Sequence, residues 1–424
     1  MKILFLTHYF PPESNAPASR VHEMAKRWVA NGHEVQVITC IPNVPNGIIY
    51  KGYRNRLKQT EWIDGIQVTR IWTYIAANRG RIRRIMNYVT YMMSAVMVGF
   101  FVKKPDVLIA TSPQLFCGLA GVILKRMRHI PFILEVRDIW PESIVTVGAM
   151  TNQRIIRVLE MLERAMYRSA DTIVTVGKGY RQRLIEKGVD EKKIQVVMNG
   201  VDQDIFSPRK LDICLCESLG IKDKFVCSYI GTVGMACGLE IVVRAADVLK
   251  RRGHANVHFL IVGDGAERRR IESNARAKGL TNITFTGRQP KEMIPAYFSV
   301  SNVCLVHLKR TDLFKTVMPS KIFEAAGMAK PIINGVSGFA ENFIKEAGAG
   351  EIIEPDNEEA LVQVLLKLAK DAVLCMQYGQ SGYEYVTKNF CRNNLAANYI
   401  DIIETNSGAK RIPYNEVLEP AKMS

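Results

Sequence analysis

Apolar and polar positions alternate along the chain in a way that repeats strand, helix, strand. Lys2 to His8 is an almost unbroken apolar run, as expected of a parallel strand buried on both faces. A loop rich in Pro and small polar residues follows. Val21, Met24, Ala25, Trp28 and Val29 then recur at helical spacing, and Gly32 supplies a stop. Glu34 to Thr39 returns as a strand, completing a βαβ unit. Further strands are predicted at 107–111, 132–136, 172–176 and 195–198, with helical patterns between most of them. Asn199 to Pro208 is turn-rich and leads into a polar stretch. Beyond it the alternation restarts, with strands at 225–230, 258–262, 283–285, 303–307, 331–333 and 351–353. The chain therefore reads as two doubly wound α/β halves, and ligands are expected in the cleft beyond the carboxyl ends of the strands. The division that follows is 1–205, a linker 206–224, a second domain 225–385, a helix 386–405 crossing back to the first domain, and a tail 406–424.

Residues 85–102 are 18 consecutive uncharged positions. Arg79, Arg81, Arg83 and Arg84 precede them and Lys103 and Lys104 follow. The length is at the threshold for a membrane span. Asn87, Tyr88, Thr90, Tyr91 and Ser94 interrupt the apolarity, and the run leads into Pro105-Asp106 and a strand. The preferred reading is a domain helix with one face on a membrane surface, inserting Tyr88, Met92 and Phe100. A buried core helix ranks second and a span last.

Composition narrows the class. The chain of 424 residues suits two domains, and 48% hydrophobic with 23% charged residues is a globular balance. The net charge of +16 favours anionic partners, such as nucleoside diphosphates or acidic lipid. Nucleic acid is disfavoured because zinc-finger spacing, an RNA-binding aromatic signature and a basic tail are all missing from the sequence. Nine scattered cysteines, with Cys214 and Cys216 as a lone C-x-C, fit a reduced compartment and no zinc site. The start, MKILFLTHYFPP, reads as a first strand rather than a signal peptide. The expected location is cytoplasmic, at the inner face of a membrane.

The chemistry concentrates in Met318-Pro-Ser-Lys-Ile-Phe-Glu324. Pro319 and Ser320 suit a helix start, whose free N–H groups favour a phosphate. Lys321 adds a full charge, and Glu324, one turn on, suits ribose hydroxyls. Gly231-Thr232-Val233-Gly234, Gly263-Asp264-Gly265 and Gly287-Arg288-Gln289 fall where strands should end, each a turn through which a nucleotide could approach the backbone. In the first half, Asp138 follows a strand in a loop with Arg137, Trp140 and Glu142. It is a candidate acid or base, or a contact to sugar, with an Arg137 ion pair as the structural alternative. His8, His22 and His307 are alternatives. Arg20, Arg137 and Trp140 are candidates for acceptor contact. Asp202-Gln203-Asp204 is a D-x-D, read here as a turn before the linker, so no metal and no cofactor are expected.

Pro319 to Pro331, Gly263-Asp264-Gly265 and Asn199-Gly-Val-Asp202 together resemble family 4 of the retaining GT-B glycosyltransferases. Phe10-Pro-Pro12 and Glu135-Val-Arg-Asp-Ile-Trp-Pro-Glu142 resemble its bacterial WbuB-type, fucosamine transferase-like subgroup, which builds surface polysaccharides. The match runs from Met1 to about Thr405. It implies a GT-B fold, two Rossmann-like domains facing across a cleft. It further implies a UDP-sugar donor carrying an N-acetylated hexosamine or deoxyhexosamine, a polyprenyl-diphosphate-linked saccharide acceptor in O-antigen or capsule assembly, and retention of configuration. Glu324 matches the second glutamate of the family's E-x7-E motif, while Thr316 stands at the first. Thr232 and Cys237 stand where the family often has Arg and Lys, which leaves Lys321 and the helix end to meet the diphosphate. Arg288 and Gln289 match the loop that reads the base, and Ser14-Asn15-Ala16 matches a loop at the donor phosphates. The rival readings are a UDP-sugar 2-epimerase of the same fold and a non-catalytic nucleotide-sugar-binding partner; product analysis with and without acceptor separates them.

Overall fold

The computed structural model describes residues 1–13, 15–44, 47–76 and 81–408, with the backbone alone at 81 and 82. Ser14, Arg79, the Arg81 side chain and the tail from 409 onward, all invoked above, lie outside the described residues.

The first domain holds strands β1 (Lys2–Leu6), β2 (Glu34–Cys40), β3 (Lys58–Ile63), β4 (Ile66–Ile71), β5 (Val107–Ser112), β6 (Phe132–Val136), β7 (Thr172–Thr175) and β8 (Ile194–Val196). They form one sheet in the order β3-β4-β2-β1-β5-β6-β7-β8. All neighbours are parallel except β3 and β4. The second domain holds β9 (Phe225–Ile230), β10 (Val257–Val262), β11 (Ile283–Gly287), β12 (Val303–His307), β13 (Ile332–Gly335) and β14 (Gly350–Ile352). This sheet is wholly parallel, ordered β11-β10-β9-β12-β13-β14. Chain order reverses between β1 and β5 in one sheet and between β9 and β12 in the other, and these switch points are where such sheets open a crevice. β5, β6 and β10 are buried along their whole length, which explains their unbroken apolar runs.

Asp64 and Gly65 join β3 to β4 with positive φ at both positions, 48° and 76°. That pair is a strong hairpin signal, and the sequence reading passed over it. Helix α1 (Ala16–Ala30) buries Val21, Met24, Ala25 and Trp28. Helix α2 (Arg81–Phe101) lies on helix α3 (Leu115–Arg128), burying Tyr91, Ala95 and Val98. A Cβ at Gly99 would crowd Leu124, and Arg128 reaches across to donate to the Gly99 carbonyl at 2.8 Å, so the two helices meet closely there. The Tyr91 hydroxyl sits between the Thr7 and Ile38 carbonyls, at 3.0 and 2.9 Å. This anchorage places α2 within the domain. No helix among the described residues is long and apolar enough to cross a membrane. Its exposed face carries Met86, Met93, Met97, Phe100 and Phe101. Of the three side chains expected to insert, only Phe100 is exposed: Tyr88 turns inward against His8, with ring centroids 5.2 Å apart, and Met92 packs on the core.

The chain passes between domains twice, side by side. Val201 and Cys391 form a parallel bridge, with Val201 N donating to Phe390 O and Arg392 N to Val201 O, each at 3.0 Å. The last helix, Arg392–Ser407, packs Leu395, Tyr399, Ile400 and Ile403 into the first domain's core. The Trp28 indole there donates to the Ala396 carbonyl at 3.1 Å.

Candidate functional site

Three turns meet at the carboxyl ends of β9, β10 and β11. Gly231 N donates to Val262 O at 2.8 Å, and Gly263 N to Gly287 O at 2.9 Å. A Cβ at Gly263 would collide with the Gly231 carbonyl, and one at Gly265 with that of Val233. Gly263 also has φ 141°. Only glycine allows these backbones to stack so closely. The short helix Lys321–Gly327, which follows Pro319 and Ser320, aims Lys321 into this floor. A Cβ at Gly231 would strike the Lys321 side chain. The Lys321 ammonium lies 4.4 Å from the Tyr229 ring centroid and donates to the Tyr229 hydroxyl at 2.7 Å. Tyr229 in turn donates to Thr232 O at 2.7 Å. Lys321 makes no ion pair among the described residues, and the Tyr229 hydroxyl takes one of its three donors.

Glu324 is half-buried one turn along the same helix, and its carboxylate accepts no hydrogen bond among the described residues. Burial pushes its carboxyl up to about 7, against the opposing influence of Lys321. Glu23 on α1 faces the same cluster from the first domain. It accepts a hydrogen bond from Lys291 of the second domain at 2.8 Å and forms an ion pair with Arg392 at 3.1 Å. Arg288 donates across the cleft to Val44 O at 3.4 Å, and Gln289 to Thr286 O at 3.0 Å within its own turn. Gly231, Gly263, Gly265, Lys321, Glu324, Arg288 and Gln289 therefore lie at the carboxyl edge of the second domain's sheet, on the side that faces the first domain. Thr232 is exposed at the rim and Gly234 stands just beyond it.

The first domain's candidates divide. Arg20 is corrected as an acceptor contact. Its guanidinium is buried and engages Glu135 at 3.3 Å, Met198 O at 3.0 Å, Asn199 Oδ1 at 3.2 Å and Val197 O at 2.9 Å. It fastens α1 to β6 and to the segment after β8. Asn15 is likewise a helix cap, accepting from Ala18 N at 2.9 Å. Arg137 does not pair with Asp138. It shares Glu135 with Arg20, at 3.7 Å, and donates to Pro17 O at 3.2 Å; burial lowers it to about 10. Trp140 is half-buried against the domain core. Asp138 stands at the end of β6, and burial raises its carboxyl above the ordinary value.

His307 is a core residue between Cys237 O, at 2.7 Å, and the Asp356 N–H, at 3.0 Å. His22 pairs with Asp64 at 2.8 Å. His8, at the end of β1, borders a cavity of about 20 Å³ with Tyr9, Asn43, Arg84, Asn87 and Tyr88. Burial holds it near 4, and its Nδ1 has no hydrogen-bond partner among the described residues. Close by, Glu13 accepts from Asn43 N and Val44 N at 2.9 and 3.0 Å, and burial raises it to about 7. Asp202 is a turn carboxylate paired with Arg27 at 3.2 Å. No group of three metal-ligating side chains occurs among the described residues.

This architecture has counterparts. Residues 15–200 match the family described as glycosyl transferase 4-like domain, and residues 217–385 match glycosyl transferases group 1. The chain belongs to the family 4 GT-B glycosyltransferases. It is similar to the glycosyl transferase WcaI of Escherichia coli strain K12, assigned to colanic acid biosynthesis, at 26% identity over 95% of this chain and all of that one. It is also similar to the Escherichia coli O-antigen chain mannosyltransferase C, at 24% over 60% of this chain and 66% of that one. Among solved structures, Anabaena HepE in complex with UDP-glucose superposes with TM-score 0.73 at 16% identity, covering 96% of this chain and all of that one. WaaG, a glycosyltransferase involved in lipopolysaccharide biosynthesis, does so with TM-score 0.68 at 16% identity, covering 95% and 99%.

In this glycosyltransferase, Thr316 occupies the position where the sequence resemblance expects the first glutamate of E-x7-E. Its hydroxyl donates to Leu313 O at 2.6 Å, within its own turn, and its backbone lies against Gly179 of the first domain, where a Cβ would collide with it. Cys237 is buried, its thiol directed at Thr232 O at 3.2 Å. Glu23, Lys291, Tyr229 and Glu13 escaped the sequence reading. Glu23 and Lys291 are polar residues on an α-helix and a short 3-10 helix, and their cleft position follows only from bringing two domains together.

Proposed function

We propose that this glycosyltransferase moves a sugar from a UDP-sugar to a saccharide carried on a membrane-embedded polyprenyl diphosphate, with retention of configuration, in surface-polysaccharide assembly. The single observation carrying the donor half is the placement of Lys321 over the Gly231 turn with Glu324 beside it. An ammonium held by a neutral phenol keeps its charge for an incoming diphosphate and stabilises it as the leaving group departs. Glu324 accepts from the ribose hydroxyls. Arg288 and Gln289 stand at the base, and the cleft between Glu324 and Asp138 receives the transferred sugar. The complexes of HepE with UDP and UDP-glucose support UDP as carrier, and the names of WcaI and the O-antigen mannosyltransferase support the pathway class. The apolar face of α2, continued by Ile123 and Met127 on α3 and flanked by exposed Arg83 and Arg84, supports docking on an anionic membrane. A thermal-shift screen of UDP-, GDP- and dTDP-sugars tests the donor, since a bound ligand raises the melting temperature by mass action. Stabilisation by GDP- or dTDP-sugars alone would remove UDP from the proposal.

A further inference from the structure

A second, larger cavity of about 290 Å³ opens on the far side of the C-terminal domain, at the amino ends of β9, β12 and β13. The donor turns lie at the opposite, carboxyl edge of the same sheet, and β9 borders both. Arg209, Lys222, Lys224 and Lys330 line it, and no carboxylate does among the described residues. Among the described residues, three of these cations have only neutral partners. Arg209 donates to Ile205 O at 3.1 Å, Lys224 to Ala255 O at 3.0 Å and Lys330 to Ser299 O at 3.2 Å. Lys222 alone meets a carboxylate, that of Glu217 at 2.8 Å, out in solvent. Four like charges around one small concavity repel one another, and burial already holds Lys330 below its ordinary value. An anion relieves both costs. Ser301 and Asn302 border the same space, and Leu211, Ile221 and Val300 form an apolar wall. The volume is at the small end of ligand pockets, suited to one phosphate and one ring rather than a nucleotide-sugar.

We infer that this cavity is a second anion site, which takes a small phosphate ester with the phosphate on Lys330, Lys224 and Arg209. Its position gives occupancy a consequence. Arg209 belongs to the segment leaving the N-terminal domain, and Lys330 follows the helix whose first turn carries Lys321. A ligand bridging the two fastens that segment to the far end of the donor helix. The inference is independent of the transferase reading.

The test is calorimetric titration at fixed ionic strength with glucose 6-phosphate, inorganic phosphate and sulfate, on wild type, Lys330→Met, Arg209→Ala and Lys321→Ala. Glucose 6-phosphate should bind wild type and Lys321→Ala alike. Loss of a charge-assisted contact should weaken it about tenfold or more in Lys330→Met and Arg209→Ala. Arg209 is exposed, so its variant keeps the test sound where Lys330→Met fails to fold. Equal binding by all four proteins overturns the site, and loss in Lys321→Ala alone moves binding to the donor cleft. Inorganic phosphate or sulfate binding as tightly as the ester overturns the ester assignment.

Discussion

Lys321 and Glu324 sit one turn apart and face the same space, yet their surroundings treat them differently. Lys321 rests on a phenol and an aromatic face that cost its charge little. Glu324 is held neutral more readily than an exposed carboxylate, with its proton leaving near pH 7. A carboxyl raised in the folded state contributes stability that is fully present below its unfolded value, near 4.5, and is lost as pH rises through about 7. Glu324→Gln should therefore melt higher than wild type at pH 8, with the difference shrinking as pH falls and gone below about 4.5. The same substitution should weaken donor binding by ~1.5–3 kcal/mol at pH 8, because an amide cannot replace a charged acceptor for ribose hydroxyls. Donor titrations and melts on one pair of proteins check both, and unchanged donor affinity would remove Glu324 from the site. Lys321→Ala should lower turnover by about 10²–10³, whereas Lys315→Ala, whose ammonium is exposed and paired with Asp312, should leave it near wild type; similar rates for the two would place the diphosphate elsewhere. Lys321, Glu324 and the three glycine turns were legible because each lies in a short motif with its own local geometry. Glu23 and Lys291 were not, since their contact joins positions 268 residues apart. Arg20 was misread because its type and its place on the first helix suggested a ligand, while only the fold shows four acceptors around it.

At the scale of elements, unbroken apolar runs identified the buried parallel strands, since a strand covered on both faces admits few polar residues. The β3–β4 hairpin was missed because β3 is an exposed edge, with Lys58, Thr60 and Trp62 alternating with partly covered positions and no apolar run to notice. For α2 the length of the segment was legible and its rotation was not, and rotation decides which side chains meet a membrane. Met93→Ser, Met97→Ser and Phe101→Ser together should reduce flotation with anionic vesicles, while Arg83→Ala with Arg84→Ala should make the remainder less salt-dependent. No flotation by wild type would end the docking proposal. The donor floor gives a different test. Gly263→Ala places a Cβ on the Gly231 carbonyl at φ 141°, and the backbone strain alone is about 1–3 kcal/mol. A lower melting temperature with weaker donor binding is expected; an alanine variant indistinguishable from wild type would mean the turns do not stack as described.

At the scale of the molecule, two sheets with opposed switch points supply backbone N–H groups and cations, which can meet a diphosphate without a divalent ion. Transfer should therefore persist in EDTA, and a strict requirement for Mn²⁺ or Mg²⁺ would return Asp202 and Asp204 to consideration as ligands. The two-domain plan was legible in the sequence because the βαβ alternation stops at the turn-rich stretch after Asn199 and then restarts. The paired crossings at Val201 and Cys391 have a consequence for how the protein comes into being. The C-terminal domain is, in effect, an insertion within the first, whose core is completed by Leu395, Tyr399, Ile400 and Ile403. A ribosome making about 5–20 residues per second needs roughly 10–40 s to traverse the roughly 190 residues between Gly200 and Arg392. Throughout that interval Trp28 and its neighbours stand uncovered on the nascent chain, an apolar face for a chaperone to hold. Residues 1–200 made alone should aggregate, and adding the 392–407 segment as a peptide should restore solubility and shift Trp28 fluorescence toward that of a buried indole.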